Sequence, residues 1–176
     1  AGASGVGLAA IQLAKRAGAT VLATASSDDR LARLHEFGLD HGVNYTDDGW
    51  IAQVREVTGG RGVNLVVDSV GGRILQGSLQ CLAYRGRAVS VGNAGRDPRP
   101  LDISTLGMNN QSLTGVFLGA EIATPRVQAM IPRHIAAVAA GDLRVVVDRT
   151  FPLAEAAAAH AYIESRQAFG RVVLVP

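Results

Sequence analysis

The chain has 176 residues, 48% hydrophobic and 18% charged, with 17 Lys and Arg against 15 Asp and Glu for a formal net charge of +2. That length supports one core of ordinary size, and the composition excludes a disordered, collagenous or disulfide-stapled chain. The basic residues are scattered, which argues against nucleic acid or a membrane surface as a partner, and the single cysteine, Cys81, can form no internal disulfide, so a reducing cytoplasmic compartment is expected.

The chain opens AGASGVGLAAIQLAKRAG, a glycine-rich turn running straight into a helix expected from about Gly5 to Ala17 and stopped at Gly18. Thr20–Ser26 is β-branched and apolar, a buried strand. Asp28 and Asp29 then open a helix that runs through Phe37 and ends at Gly38. The pattern repeats with a strand at His41–Tyr45, a helix from Trp50 closed by Gly59 and Gly60, a strand at Val63–Val70, a helix at Arg73–Gly86 and a strand at Arg87–Gly92. Beyond a loop through Pro98 and Pro100, a strand is expected at Ser112–Ala120 and a long helix at Pro125–Ala140. A strand at Leu143–Phe151, an alanine-rich helix at Leu153–Ser165 and a last strand at Gly170–Val175 complete the chain.

Strands alternating with helices imply right-handed crossovers and a parallel sheet covered on both faces, a doubly wound α/β fold of Rossmann type. No repeat and no linker divides residues 1–176, so they are read as one nucleotide-binding domain.

The opening turn matches G-x-G-x-x-G in two registers. From Gly2 it reads G-A-S-G-V-G, with Ser4 in the middle; from Gly5 it reads G-V-G-L-A-A. Small residues let backbone amides approach a pyrophosphate, and the positive end of the helix stabilises its charge. At the end of the second strand, where an acid would hold the ribose 2′-hydroxyl of NAD, stand Ala25, Ser26 and Ser27, with Arg30 one turn later. Hydroxyls and a cation suit a 2′-phosphate, which favours NADPH over NADH. The alternative for Arg30 is a solvated helix cation paired with a neighbouring acid.

His35, His41, His134 and His160 are far apart and lack H-x-x-x-H or C-x-x-C spacing, so they read as structural and no metal site is expected. Cys81 shares helical spacing with Leu75, Leu79 and Leu82, which reads as core packing.

In AGASGVGLAAIQLAK, TASSDDRL, HGVNY, GGRGVNLVVDSVGG, SLQCLAYRGRAVSVG, VVVDRTFPLAEAAAAH and ESRQAFGRVVLVP the chain resembles the zinc-independent quinone oxidoreductases, alongside zeta-crystallin, of the medium-chain dehydrogenase/reductase superfamily. The resemblance covers essentially all residues. It implies the nucleotide domain and carboxy-terminal tail of a cytoplasmic, homodimeric enzyme whose other half, a GroES-like catalytic domain, is absent. The first Rossmann strand, central in the order 3-2-1-4-5-6, is then expected upstream in a longer parent chain, and the piece alone is expected to be inactive.

The resemblance assigns Gly2, Ser4, Gly5, Val6 and Gly7 to the pyrophosphate, and Ser26, Arg30, Tyr45 and Arg166 to the 2′-phosphate. Tyr45 as an aromatic covering the core edge and Arg166 as a cation answering a helix dipole stay open as alternatives. Asp68 to Gly71, Val70 among them, with Gly92 and Asn93, lie at carboxyl ends of strands and are expected at the ribose and nicotinamide; Phe117 and Leu118 are expected at the carboxamide. The implied reaction is hydride transfer from NADPH to a quinone or an α,β-unsaturated carbonyl, and these residues name no proton donor for it. Two other readings stand beside it: a non-catalytic NADPH-binding sensor or crystallin, and the enoyl reductase domain of a polyketide synthase. A homodimer would join through the segment SLTGVFLG.

Overall fold

A computed structural model describes residues 2–176. The chain forms two compact units, one made of the residues up to Gly42 with Ala129–Pro176, the other of Val43–Gln128.

The first unit begins with helix α1 (Gly5–Arg16), strand β1 (Leu22–Ala25) and helix α2 (Asp28–Leu34), which a single 3-10 turn extends to Phe37. Gly38 ends that turn at φ +99°, a conformation that glycine reaches without a Cβ penalty. Strand β2 (His41–Asn44) pairs with β1. Leu8 and Ile11 recur at helical spacing on α1 and pack with Leu31 and Leu34 of α2, and with Val21, Phe37 and Phe169. Phe169, 1% exposed, comes from the tail, and its burial stabilises the unit by about 2–3 kcal/mol.

The tail contributes most of helix α7 (Pro125–Ala139), strand β6 (Val147–Pro152), helix α8 (Ala156–Glu164) and strand β7 (Arg171–Val175), with β6 and β7 parallel. Gln12 of α1 clamps it: its amide donates to the Leu8 and Arg144 carbonyls at 3.1 and 3.0 Å and its oxygen accepts from the Arg144 N–H at 2.8 Å. Residues 2–4 behave as a strand end. The Gly2 N–H donates to Thr24 O of β1 at 3.0 Å, and the Gly170 N–H donates to Ala3 O at 2.9 Å on the other side.

The second unit holds a parallel sheet of order β3 (Val63–Asp68), β4 (Leu82–Ser90), β5 (Ser112–Gly115), with helices α3 (Trp50–Val57), α4 (Gly72–Gln80), α5 (Ser104–Met108) and α6 (Leu118–Glu121). Leu75 and Leu79 of α4 pack on Leu82 and Ala88 of β4. β1 and β3 belong to separate sheets. Leu65 and Val67 on β3, an edge strand of its sheet, are half exposed.

Several element boundaries differ from the sequence reading: the strand expected from Leu143 begins at Val147, the strand expected to reach Val70 ends at Asp68, and two larger differences follow. The helix expected over Arg73–Gly86 stops at Gln80, because the Val63 N–H bonds Cys81 O at 2.9 Å and draws Leu82 into strand pairing. Arg85 at φ +59° then forms an irregularity before regular register resumes at Arg87. The strand expected over Ser112–Ala120 ends at Gly115; the Val116 N–H makes a last bond to Ser90 O, and Phe117 turns the chain into α6. Among the described residues no helix is long and apolar enough to cross a membrane.

Candidate functional site

The glycine turn feeds α1 directly. Ser4 is extended (φ −82°, ψ 162°) and caps the helix, its hydroxyl oxygen accepting from the Gly7 N–H at 3.1 Å. Among the described residues the Gly5 and Val6 amides have no partner, and no acid stands in the first turn. A Cβ on Gly2 would lie 2.9 Å from Leu34 Cδ1, so only glycine lets this segment pack against α2. A Cβ on Gly5 would lie 2.6 Å from Arg171 Nε, because that side chain crosses the first turn of α1. A cavity of ≈ 80 Å³ lies here, lined by Gly5, Leu8, Ala9, Val145, Val146 and the two cations Arg144 and Arg171. The site therefore unites two open amides, the positive pole of a helix and a guanidinium, an arrangement that attracts an anion.

Beyond β1, Ser26 is exposed and Ser27 starts α2 without a side-chain cap bond. Arg30 is half-buried. Its Nη1 donates to Ala168 O at 3.1 Å and its Nη2 to Arg166 O, so the structure brings Arg30 and Arg166 together through the backbone of the tail. The Arg166 side chain is exposed and has no hydrogen bond or ion pair among the described residues. Near the same tail the Tyr162 hydroxyl donates to Asp148 Oδ2 at 2.7 Å, which raises the phenol's pKa, and Arg149 lies 4.3 Å from the Tyr162 ring centre.

In the second unit Tyr45 is half-buried just after β2. Asp68 ends β3, 4% exposed, and its Oδ1 accepts from the Val70 and Gly71 N–H groups at 3.1 and 2.7 Å. The Val91 N–H bonds Asp68 O, the Ala94 N–H bonds Ser69 O and the Gly95 N–H bonds Val70 O, so the loops after β3 and β4 are laced together. Gly71, at φ +76°, lies where a Cβ would strike Asn93 Oδ1. Asp68, Val70, Gly92 and Asn93 thus meet in one turn. Phe117 and Leu118 are exposed, 76% and 60%, at the start of α6.

Cys81 is 2% exposed and burial pushes its thiol up to about 11, in keeping with a packing role. His35 Nδ1 bonds Leu39 O at 2.9 Å, a structural contact. Among the described residues no three His, Cys, Asp or Glu cluster as a metal site would require. Sequence reasoning missed Arg171, Arg144 and Gln12. Both arginines lie in segments expected as strands, and the parallel bridge of Ser4 to Gly170 brings Arg171 to the start of α1.

The family model described as zinc-binding dehydrogenase matches residues 5–140. The whole chain is similar to a quinone oxidoreductase of Pseudomonas aeruginosa, 37% identical over 55% of that protein, and to a 2-haloacrylate reductase of Burkholderia sp., 36% identical over 54% of that protein. It superposes on the crystal structure of Escherichia coli quinone oxidoreductase complexed with NADPH with a TM-score of 0.90 and 31% identity, covering 100% of this chain and 55% of the other. The chain spans about half the length of the curated relatives it matches. The doubly wound fold expected from the sequence is the fold of these neighbours.

Proposed function

Because the chain belongs to the zinc-binding dehydrogenase family, we propose that it is the NADPH-binding half of a reductase acting on a quinone or an α,β-unsaturated carbonyl. The observation that carries the reading is the Gly2–Gly7 turn, where two unpartnered amides, the positive end of α1 and Arg171 face a position with no acid of the chain's own. Those groups fit a coenzyme pyrophosphate in number and sign. Ser26, Arg30 and Arg166, with no carboxylate at the end of β1, fit the extra phosphate of NADPH. When bound, NADPH supplies the hydride.

The chain's own residues do the holding. Gly5 and Val6 donate to the pyrophosphate, Ser4 and Gly7 keep the turn open by bonding each other, and Gly2 seats it against α2. Tyr45 belongs to the 2′-phosphate group of residues by resemblance. In the second unit, the laced turn of Asp68, Val70, Gly92 and Asn93 is assigned to the ribose and nicotinamide, and Phe117 and Leu118 to the carboxamide. Asp68 has one carboxylate oxygen committed to its own turn, so its part is to shape that turn.

A homodimer accords with β5, which ends its sheet and runs on into exposed Val116, Phe117 and Leu118. A cytoplasmic setting accords with the one buried, unpaired thiol. The test is calorimetric titration with NADPH and NADH, followed by NADPH oxidation in the presence of quinone and enone acceptors. Saturable binding that favours NADPH is expected; binding without turnover across a broad acceptor panel would favour the sensor reading, and no binding of either coenzyme would refute both.

A further inference from the structure

We infer that Arg30 governs coenzyme choice through Arg166: it is a positioning residue that holds the turn at residues 165–168, and the Arg166 side chain takes the 2′-phosphate. The inference rests on the NADPH reading above.

Arg30 spends its fork on the tail. Its two terminal nitrogens donate to the carbonyls of Arg166 and Ala168, two residues apart, as a planar guanidinium suits and an ammonium does not. The turn needs such a tie. Arg166 sits at φ +59°, a left-handed conformation that is unfavourable for a residue with a Cβ. Local bonds around it are few: the Arg166 N–H to Ile163 O at 3.0 Å, the Ser165 hydroxyl to Tyr162 O at 2.7 Å and the Gln167 N–H to the Ser165 oxygen at 3.4 Å.

A second cation one helical turn along α2 anchors the far end. Arg33 Cζ stands 3.7 Å from the ring centre of buried Phe169. With its backbone held at residues 166 and 168 and its Phe169 ring held by Arg33, the turn presents one guanidinium that no group of the described chain occupies, that of Arg166. α2 itself starts directly after Ser26 and Ser27, where the second strand delivers a ribose in this fold. A cation brought there by the tail needs Arg30 behind it.

The experiment compares Arg30→Lys, Arg30→Ala, Arg166→Ala and the double variant Arg30→Ala/Arg166→Ala in the whole chain, by calorimetric titration with NADPH and NADH. Arg166→Ala is expected to weaken NADPH about 10- to 100-fold, the worth of a charge-assisted bond, and NADH less than about 2-fold. Arg30→Ala and Arg30→Lys are both expected to weaken NADPH about 10-fold while leaving NADH binding, and so the fold, in place. The double variant should lose no more than Arg166→Ala alone.

Wild-type affinity in Arg30→Lys, or a double variant whose loss is the product of the single losses, would overturn the indirect role and return Arg30 to direct phosphate contact. Equal losses of NADPH and NADH in the Arg30 variants would reduce it to a stability contact, which also overturns the inference. Failure of the wild type to prefer NADPH refutes the coenzyme reading itself, an outcome visible before any variant is compared.

Discussion

The turn at Gly2–Gly7 in the first unit and the turn at Asp68–Gly72 in the second both open a helix, and they treat their backbone amides in opposite ways. At Asp68 the chain supplies its own anion: a buried carboxylate accepts from Val70 and Gly71 just before α4 begins. At Gly2–Gly7 the Gly2 amide is answered by Thr24 O and the Gly7 amide by the Ser4 hydroxyl, while Gly5 and Val6 stay open beside Arg171. A self-satisfied turn is a structural part. An unanswered one beside a cation leaves donors open to an anion, and the two should therefore fail differently when altered.

The largest expected effect is at the closed turn. Asp68→Ala strands two N–H groups in a buried place and should destabilise the second unit by about 3 kcal/mol in chemical denaturation, whereas Asp68→Asn, which keeps an accepting oxygen, should cost under half of that. Loss of coenzyme affinity without loss of stability in Asp68→Ala would break the contrast.

Next come the paired glycines. Gly71→Ala forces a Cβ into Asn93 at φ +76° and should cost about 2 kcal/mol. Gly5→Ala displaces only the Arg171 side chain and should leave the melting temperature unchanged or slightly raised, while weakening NADPH and NADH alike by about 10-fold in calorimetry. Ser4→Ala removes the cap and should cost about 1 kcal/mol of stability in the first unit.

How much of this was legible in the sequence follows from the range of each interaction. Helix ends at Gly18 and Gly38 were readable because a left-handed glycine is a local event. The end of α4 was not: Leu75, Leu79 and Leu82 keep helical spacing, but Leu82 is claimed by pairing with Val63, nearly twenty residues away. The glycine turn was visible as a motif, and Arg30 as a cation in place of an acid. That Arg30 grips the carbonyls of Arg166 and Ala168, and that Arg171 lies on Gly5, depends on contacts across more than 130 residues, for which a single sequence carries no signal.

The smallest effect is acid sensitivity, and it also compares the two units. In the first, the Lys15 ammonium at 2.6 Å and the Val21 N–H hold the Asp40 carboxyl below its usual range. In the second, the Arg99 guanidinium does the same for Asp97. Both carboxyls have lowered folded values, so their contribution is present above about pH 4, where an unfolded Asp is ionised, and is lost as pH falls through the folded value. Asp40→Asn and Asp97→Asn should each flatten the acid limb of a stability-against-pH curve slightly; an unchanged limb in both would mean that solvent screens these exposed pairs completely.

The indole of Trp50 lies against α4 at Gly77, where a Cβ would strike Trp50 Cζ2. As the chain has a single tryptophan, its emission reports on the α3–α4 contact. Heated under a fluorimeter, the protein would show the melting of residues 43–128, while circular dichroism would sum both units. Two midpoints from the two optical signals would mean that the halves open separately, and one shared midpoint that they open as one.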